Sequence, residues 1–95
     1  MKFMIYSQDK DDALEIRKAN RDAHLAFLNG ESPVEVLSAG PWLNENETMK
    51  GSLIIVEADT IETVRAWLKT DPYATAGLPK AVTVHPFIWA IGAPD

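Results

Sequence analysis

Gly51-Ser52-Leu53-Ile54-Ile55-Val56-Glu57-Ala58-Asp59-Thr60-Ile61-Glu62 changes period partway along, and that change decides the fold. Residues 51–58 are apolar at both parities through Leu53-Ile54-Ile55-Val56 and read as a strand buried on both faces. Asp59 then offers an N-cap, with Glu62 three residues later completing a capping-box pair. Ile61, Val64 and Leu68 recur at helical spacing with Trp67 beside them, so a helix runs towards Thr70. It must stop there, because Pro72 drives the preceding Asp71 out of the α region.

Working outward, Pro72 to Ala76 reads as a short helical turn closed by Gly77. Ala81 to Ile91 is a last strand whose internal Pro86 fits an edge strand or a bulge and argues against a central position. Upstream, Lys2 to Ser7 is a first strand. A helix spans Asp9 to Asn29, with Asp9, Asp11 and Asp12 supplying negative charge near its N-terminus and Gly30 as its stop. Val34 to Ala39 is a second strand, ended by Gly40-Pro41, and Trp42 to Lys50 is a polar, turn-prone connection. The order β-α-β-β-α-β is the split, ferredoxin-like α+β arrangement with an antiparallel sheet. At 95 residues the chain has one domain's length, and the expected domain spans 1–95.

In that arrangement both helices cover one sheet face. The other face should alternate apolar with polar if it met water. Phe3-Met4-Ile5-Tyr6, Leu53-Ile54-Ile55-Val56 and Phe87-Ile88-Trp89-Ala90-Ile91 do not alternate. Leaving that face wet would forfeit several kcal/mol at ~25 cal/mol per Å2. The expected solution is a homodimer packed sheet to sheet.

A net charge of −5 argues against a nucleic-acid partner, which needs a basic surface. No apolar run approaches the ~20 residues that span a bilayer. The N-terminal stretch is too short and too soon polar for a signal peptide. There is no cysteine, which excludes disulfides and thiolate chemistry and fits a cytoplasmic protein. No glycine-rich phosphate loop, dinucleotide fingerprint or ligand-spaced metal motif occurs, so neither cofactor nor metal is expected. The positive charge gathers at Lys2, Lys10, Arg17, Lys18 and Arg21, which suggests a small anionic ligand or a solvated helix face.

On a helical wheel Ala13, Ile16, Ala19, Ala23 and Phe27 form the core stripe. Arg17, Arg21, His24 and Leu28 line its edge at spacings of four, three and four. A neutral imidazole beside fixed positive charge is suited to act as a general base on an anionic substrate. A boundary histidine bonded to a backbone carbonyl is the other reading of His24. Asp71-Pro72 is explained as a helix cap with proline at the first helical position. Its interest comes from the fold: a residue just beyond the second helix can approach the first, where an aspartate would orient His24. Ser52 offers a hydroxyl, and Trp42, Trp67, Tyr73 and Trp89 offer apolar walls. His85 reads as structural.

Taken together, Ile5-Tyr6-Ser7-Gln8-Asp9, then Arg17, Arg21 and His24, Ser38-Ala39-Gly40-Pro41, Gly51-Ser52, Asp71-Pro72-Tyr73, Ala76-Gly77 and Pro86-Phe87 resemble the YCII-related family in order and spacing over nearly the whole chain. The resemblance implies a dimeric α+β barrel and a His–Asp pair in a pocket of each subunit. His24 and Asp71 match the pair; Arg17, Arg21, Ser52 and Tyr73 match further family positions, read as substrate-binding. The connection from Gly30 to Pro33 is shorter than relatives often carry. The function so implied is a cofactor-independent lyase or isomerase acting on a small anionic or aromatic metabolite. A non-catalytic module that binds or senses such a ligand is the alternative.

Overall fold

The computed structural model describes residues 1–94. In chain order it contains β1 (Lys2–Asp9), α1 (Leu14–Asn29), β2 (Glu35–Leu43), β3 (Met49–Glu57), α2 (Ile61–Leu68), α3 (Pro72–Thr75) and β4 (Pro79–Pro86). The four strands form one antiparallel sheet ordered β2-β3-β1-β4, the ferredoxin-like split arrangement expected from the element order. β1 and β3 are central. β4 is an edge, where the missing N–H of Pro86 costs no ladder bond.

Register explains which side chains meet the helices. Phe3, Ile5, Ser7 and Asp9 share one face of β1, opposite Val56, Ile54 and Ser52 of β3. Phe3, Ile5, Ile54 and Val56 pack with Val64 and Trp67 of α2 into the main core. Phe27 of α1 stacks on Trp67 at 4.8 Å. A smaller cluster of Ala13, Tyr73 and Leu78 ties the start of α1 to α3.

Several expected boundaries move. Asp9 is the last residue of β1 and not the start of a helix; α1 begins at Leu14 after a turn in which Asp12 takes φ 55°. The N-cap position, Ala13, makes no side-chain cap bond. β2 does not end at Gly40-Pro41 but runs through it to Leu43, because an edge strand tolerates proline. The expected loop from Trp42 to Lys50 therefore shrinks to a turn, with Asn44 accepting from the N–H groups of Asn46 and Thr48. The cap of α2 is Thr60 and not Asp59: its extended backbone brings Oγ1 to the N–H of Thr63. The last strand stops at Pro86, five residues before the expected Ile91. Gly77 closes α3 at φ 77°, a conformation that favours glycine.

The inward face of α1 is the largest correction. Ala19 and Ala23 are exposed, whereas Arg17 and His24 are the buried members of the helix. Ala13, Arg17, Asn20, His24 and Phe27 face the sheet at spacings of four, three, four and three. The helix has turned its polar edge inward because that edge finds partners there.

On the opposite face the Trp42 indole N–H donates to the Ser7 carbonyl at 2.8 Å, and its ring stacks on Tyr6 at 5.7 Å. A Cβ on Gly51 would stand 2.0 Å from both the Ser7 oxygen and Trp42 Nε1. Gly51→Ala is therefore expected to cost at least ~2 kcal/mol by overpacking. Urea unfolding of the variant checks this; an unchanged midpoint would contradict it.

Candidate functional site

Strand parity and helix phase deliver two carboxylates to one region between α1, α3 and the sheet. Asp9 continues the inward parity of Phe3, Ile5 and Ser7, and is 6% exposed. Its oxygens accept from Arg17 Nε at 2.8 Å and Nη2 at 3.0 Å, a forked ion pair. The same Nη2 donates to Ser52 Oγ at 2.9 Å. Ser52 is held in turn by its N–H, which donates to Ser7 Oγ.

The second carboxylate belongs to Asp71, the N-cap of α3. Its Oδ1 accepts from the N–H of Tyr73 at 2.9 Å and lies 2.9 Å from His24 Nδ1. The Tyr73 bond marks that oxygen as an acceptor, so the imidazole hydrogen sits on Nδ1. Nε2 makes no hydrogen bond with the described residues and is the ring nitrogen left without a partner. Asp71 thus caps a helix and orients His24 at once. The backbone-carbonyl partner considered for His24 is absent among the described residues.

Tyr73 joins the two arms. Its ring stacks on His24 with centroids 3.8 Å apart and planes at 11°, and the Arg17 guanidinium lies 4.9 Å from its centroid. Burial raises the phenol above its ordinary ionisation range, with the positive charge of Arg17 pulling it back. The phenol therefore keeps its hydrogen near neutral pH.

These groups line a cavity of about 230 Å3 walled by Arg17, Arg21, His24, Ser52, Ile54 and Tyr73, with Ala39, Gly40, Pro41 and Met49 of the β2–β3 hairpin opposite. A narrow recess of about 40 Å3 continues from it past Asp9 and Asp71. An apolar cavity of about 150 Å3 takes up benzene, so this one accommodates a single substituted ring.

All six expected site residues line this cavity or its recess, but their situations differ. Arg17 is not a free cation, because Asp9 balances its charge. Arg21 is exposed and has no acidic partner among the described residues. Of the aromatic residues expected as walls only Tyr73 contributes; Trp67 is core and Trp42 lies on the other face of the sheet. Asp9 is a buried strand residue and not helix-terminal charge; the alternation Phe3-Ile5-Ser7-Asp9 is the sequence signal that places it inside. Among the described residues no cluster of histidines and carboxylates could hold a metal ion, and no helix is long and apolar enough to cross a membrane.

Known proteins resemble the chain over this whole arrangement. The model of the YCII-related domain matches residues 1–88. Protein YciI of Escherichia coli O6:H1 is 40% identical over 96 residues, covering 92% of this chain and 96% of that protein. An uncharacterized protein of Haemophilus influenzae is 34% identical over 94 residues, with the same coverage. Among solved structures, 5-chloro-2-hydroxyhydroquinone dehydrochlorinase (TftG) from Burkholderia phenoliruptrix, in complex with 2,5-dihydroxybenzoquinone, superposes with a TM-score of 0.79 at 31% identity, covering 93% of this chain and 94% of that one. A NIPSNAP domain protein from Burkholderia xenovorans, at a TM-score of 0.55 and 16% identity, shares the fold alone. The domain match, the near-complete coverage by relatives and the common fold lead to one conclusion: the chain belongs to the YCII-related family.

Proposed function

We propose that this protein is a small acid–base enzyme, a lyase or isomerase that works without a cofactor on a small anionic or aromatic metabolite. The observation that carries the proposal is the 2.9 Å contact of His24 Nδ1 with Asp71 beside a ring-sized cavity. His24 Nε2 accepts a proton from the substrate. Asp71 holds the ring in the tautomer that leaves Nε2 free and stabilises the imidazolium that forms. Arg21 attracts the negative end of the substrate at the cavity mouth. The similarity to a dehydrochlorinase supports this class of chemistry, since elimination of HCl starts with loss of a proton.

A panel of halogenated and hydroxylated aromatic acids and hydroquinols, assayed with wild type and His24→Ala, tests it. Turnover in wild type that disappears in the variant is the expected result. Equal binding with turnover in neither would leave ligand capture as the function and overturn the enzyme reading.

The working unit in this proposal is a homodimer in the cytoplasm. The sheet face away from the helices presents Tyr6 at 40% and Leu53 at 44% exposure, next to half-buried Met4 and Trp42. Ile88 and Ile91, beyond β4, are almost fully exposed. Apolar area of this kind favours a second subunit. Sedimentation at micromolar concentration is expected to give twice the 10.5 kDa chain mass; a stable monomer would contradict it.

A further inference from the structure

The Asp9–Arg17–Ser52 chain is more than the fold requires. Asp9, Arg17 and Ser52 are 6%, 3% and 5% exposed, so a full ion pair and a hydroxyl have been taken out of water. Apolar residues of the same volume generally stabilise such a position equally well or better. What they could not supply is a directed hydroxyl. Arg17 Nη2 donates to Ser52 Oγ and fills one of its lone-pair positions. The hydroxyl hydrogen has no acceptor among the described residues, and Ser52 lines the cavity with His24. A hydroxyl oxygen that accepts from a guanidinium becomes a stronger donor through its own hydrogen.

We propose that Ser52 is the oxyanion donor of this site and that Asp9 is a positioning residue acting on it through Arg17. The inference rests on the acid–base reading of the same cavity and names its substrate class: a planar ring bearing a hydroxyl or carbonyl oxygen conjugated with the acidic position. As the C–H or O–H bond of the substrate breaks, the proton forms a bond to His24 Nε2. The electron pair left behind moves onto the conjugated oxygen as an enolate or phenolate. The Ser52 hydroxyl donates a hydrogen bond to that oxygen, and no other atom is gained or lost. Such donors act most strongly in sites from which water is excluded.

Two probes of similar shape test this: 4-nitrophenolate, which carries the charged oxygen, and 4-nitroanisole, in which a methyl group caps it. Affinities are measured at about 0.5 M salt, which screens the charge of exposed Arg21. Wild type is expected to prefer 4-nitrophenolate by roughly 10-fold or more, the effect of one hydrogen bond to a charged group. Ser52→Ala should remove most of that preference, whereas Ser52→Thr, which keeps a hydroxyl, should retain it. Asp9→Asn should reduce the preference in the fraction that calorimetry shows to be folded. A preference unchanged by Ser52→Ala overturns the proposal, as does wild type binding both probes equally or neither.

The His24→Asn variant separates the two readings. Its preference for 4-nitrophenolate should persist, because the Ser52 arm does not run through the imidazole. Turnover that survives in it counts against the base alone.

Discussion

Asp9→Ala is expected to cost the folded state about 3–5 kcal/mol, the usual penalty for stranding one partner of a buried ion pair. The variant leaves Arg17 at 3% exposure with no carboxylate to meet its fork. A chain of this size is stable by only about 5–15 kcal/mol in total, so the loss is a large share. Each kcal/mol lowers the melting temperature of such a domain by roughly 4–8 °C, so calorimetry should register a fall of at least ~12 °C. The companion prediction is sharper. Asp9→Leu combined with Arg17→Met removes both charges together and should melt well above Asp9→Ala, since apolar replacement of a whole buried pair is often neutral. If the double variant is the less stable of the two, the pair contributes net stability and the case for its having a functional purpose weakens.

The second large effect concerns His24. On any compound that the protein turns over, His24→Asn should lower the rate by roughly 10²–10⁴-fold, the range supplied by one positioned base. Asp71→Asn is a finer probe, because Asp71 Oδ1 alone accepts from both His24 and Tyr73. Asparagine keeps that oxygen, so the α3 cap and the imidazole tautomer survive and only the negative charge is lost. Turning the amide over would face its NH2 towards the Tyr73 N–H, which disfavours that orientation. A decrease of roughly 10–100-fold is expected, the worth of charge in a single hydrogen bond. Single-turnover rates for the three proteins check the order; His24→Asn remaining within about threefold of wild type would remove the imidazole from the mechanism.

The order of elements was legible because turns and caps punctuate it: Gly30, Asp59-Thr60, Asp71-Pro72 and Gly77 each carry a local physical signal. Strand ends were less legible, since ladder bonds to neighbouring strands, which no local pattern reveals, carried β2 through Pro41 and β1 as far as Asp9. The phase of α1 departs from its hydropathy for a related reason. Hydropathy turns Ala19 and Ala23 inward and leaves Arg17 at the edge of the stripe, but burial of a charge is decided by its partner, and Asp9 and Ser52 come from two strands. His24 and Asp71 stood out singly, one in a basic stripe and one as a cap. Their 2.9 Å contact spans 47 positions of sequence and follows from tertiary packing alone.

The inner face of α1 also bears on how the molecule opens. α1 meets the rest of the protein through the Arg17–Ser52 and His24–Asp71 bonds, which span 35 and 47 positions, as well as through the apolar contacts of Ala13 and Phe27. β1 and β3, by contrast, are paired along most of their length and packed into the main apolar core. The polar inner face of α1 gives the isolated helix little reason to persist on its own. In hydrogen exchange the amides of α1 should therefore open at lower free energy than those of β1 and β3. The cavity would then be the first feature to come apart as the molecule opens. A molecule seated there would slow exchange along the whole of α1.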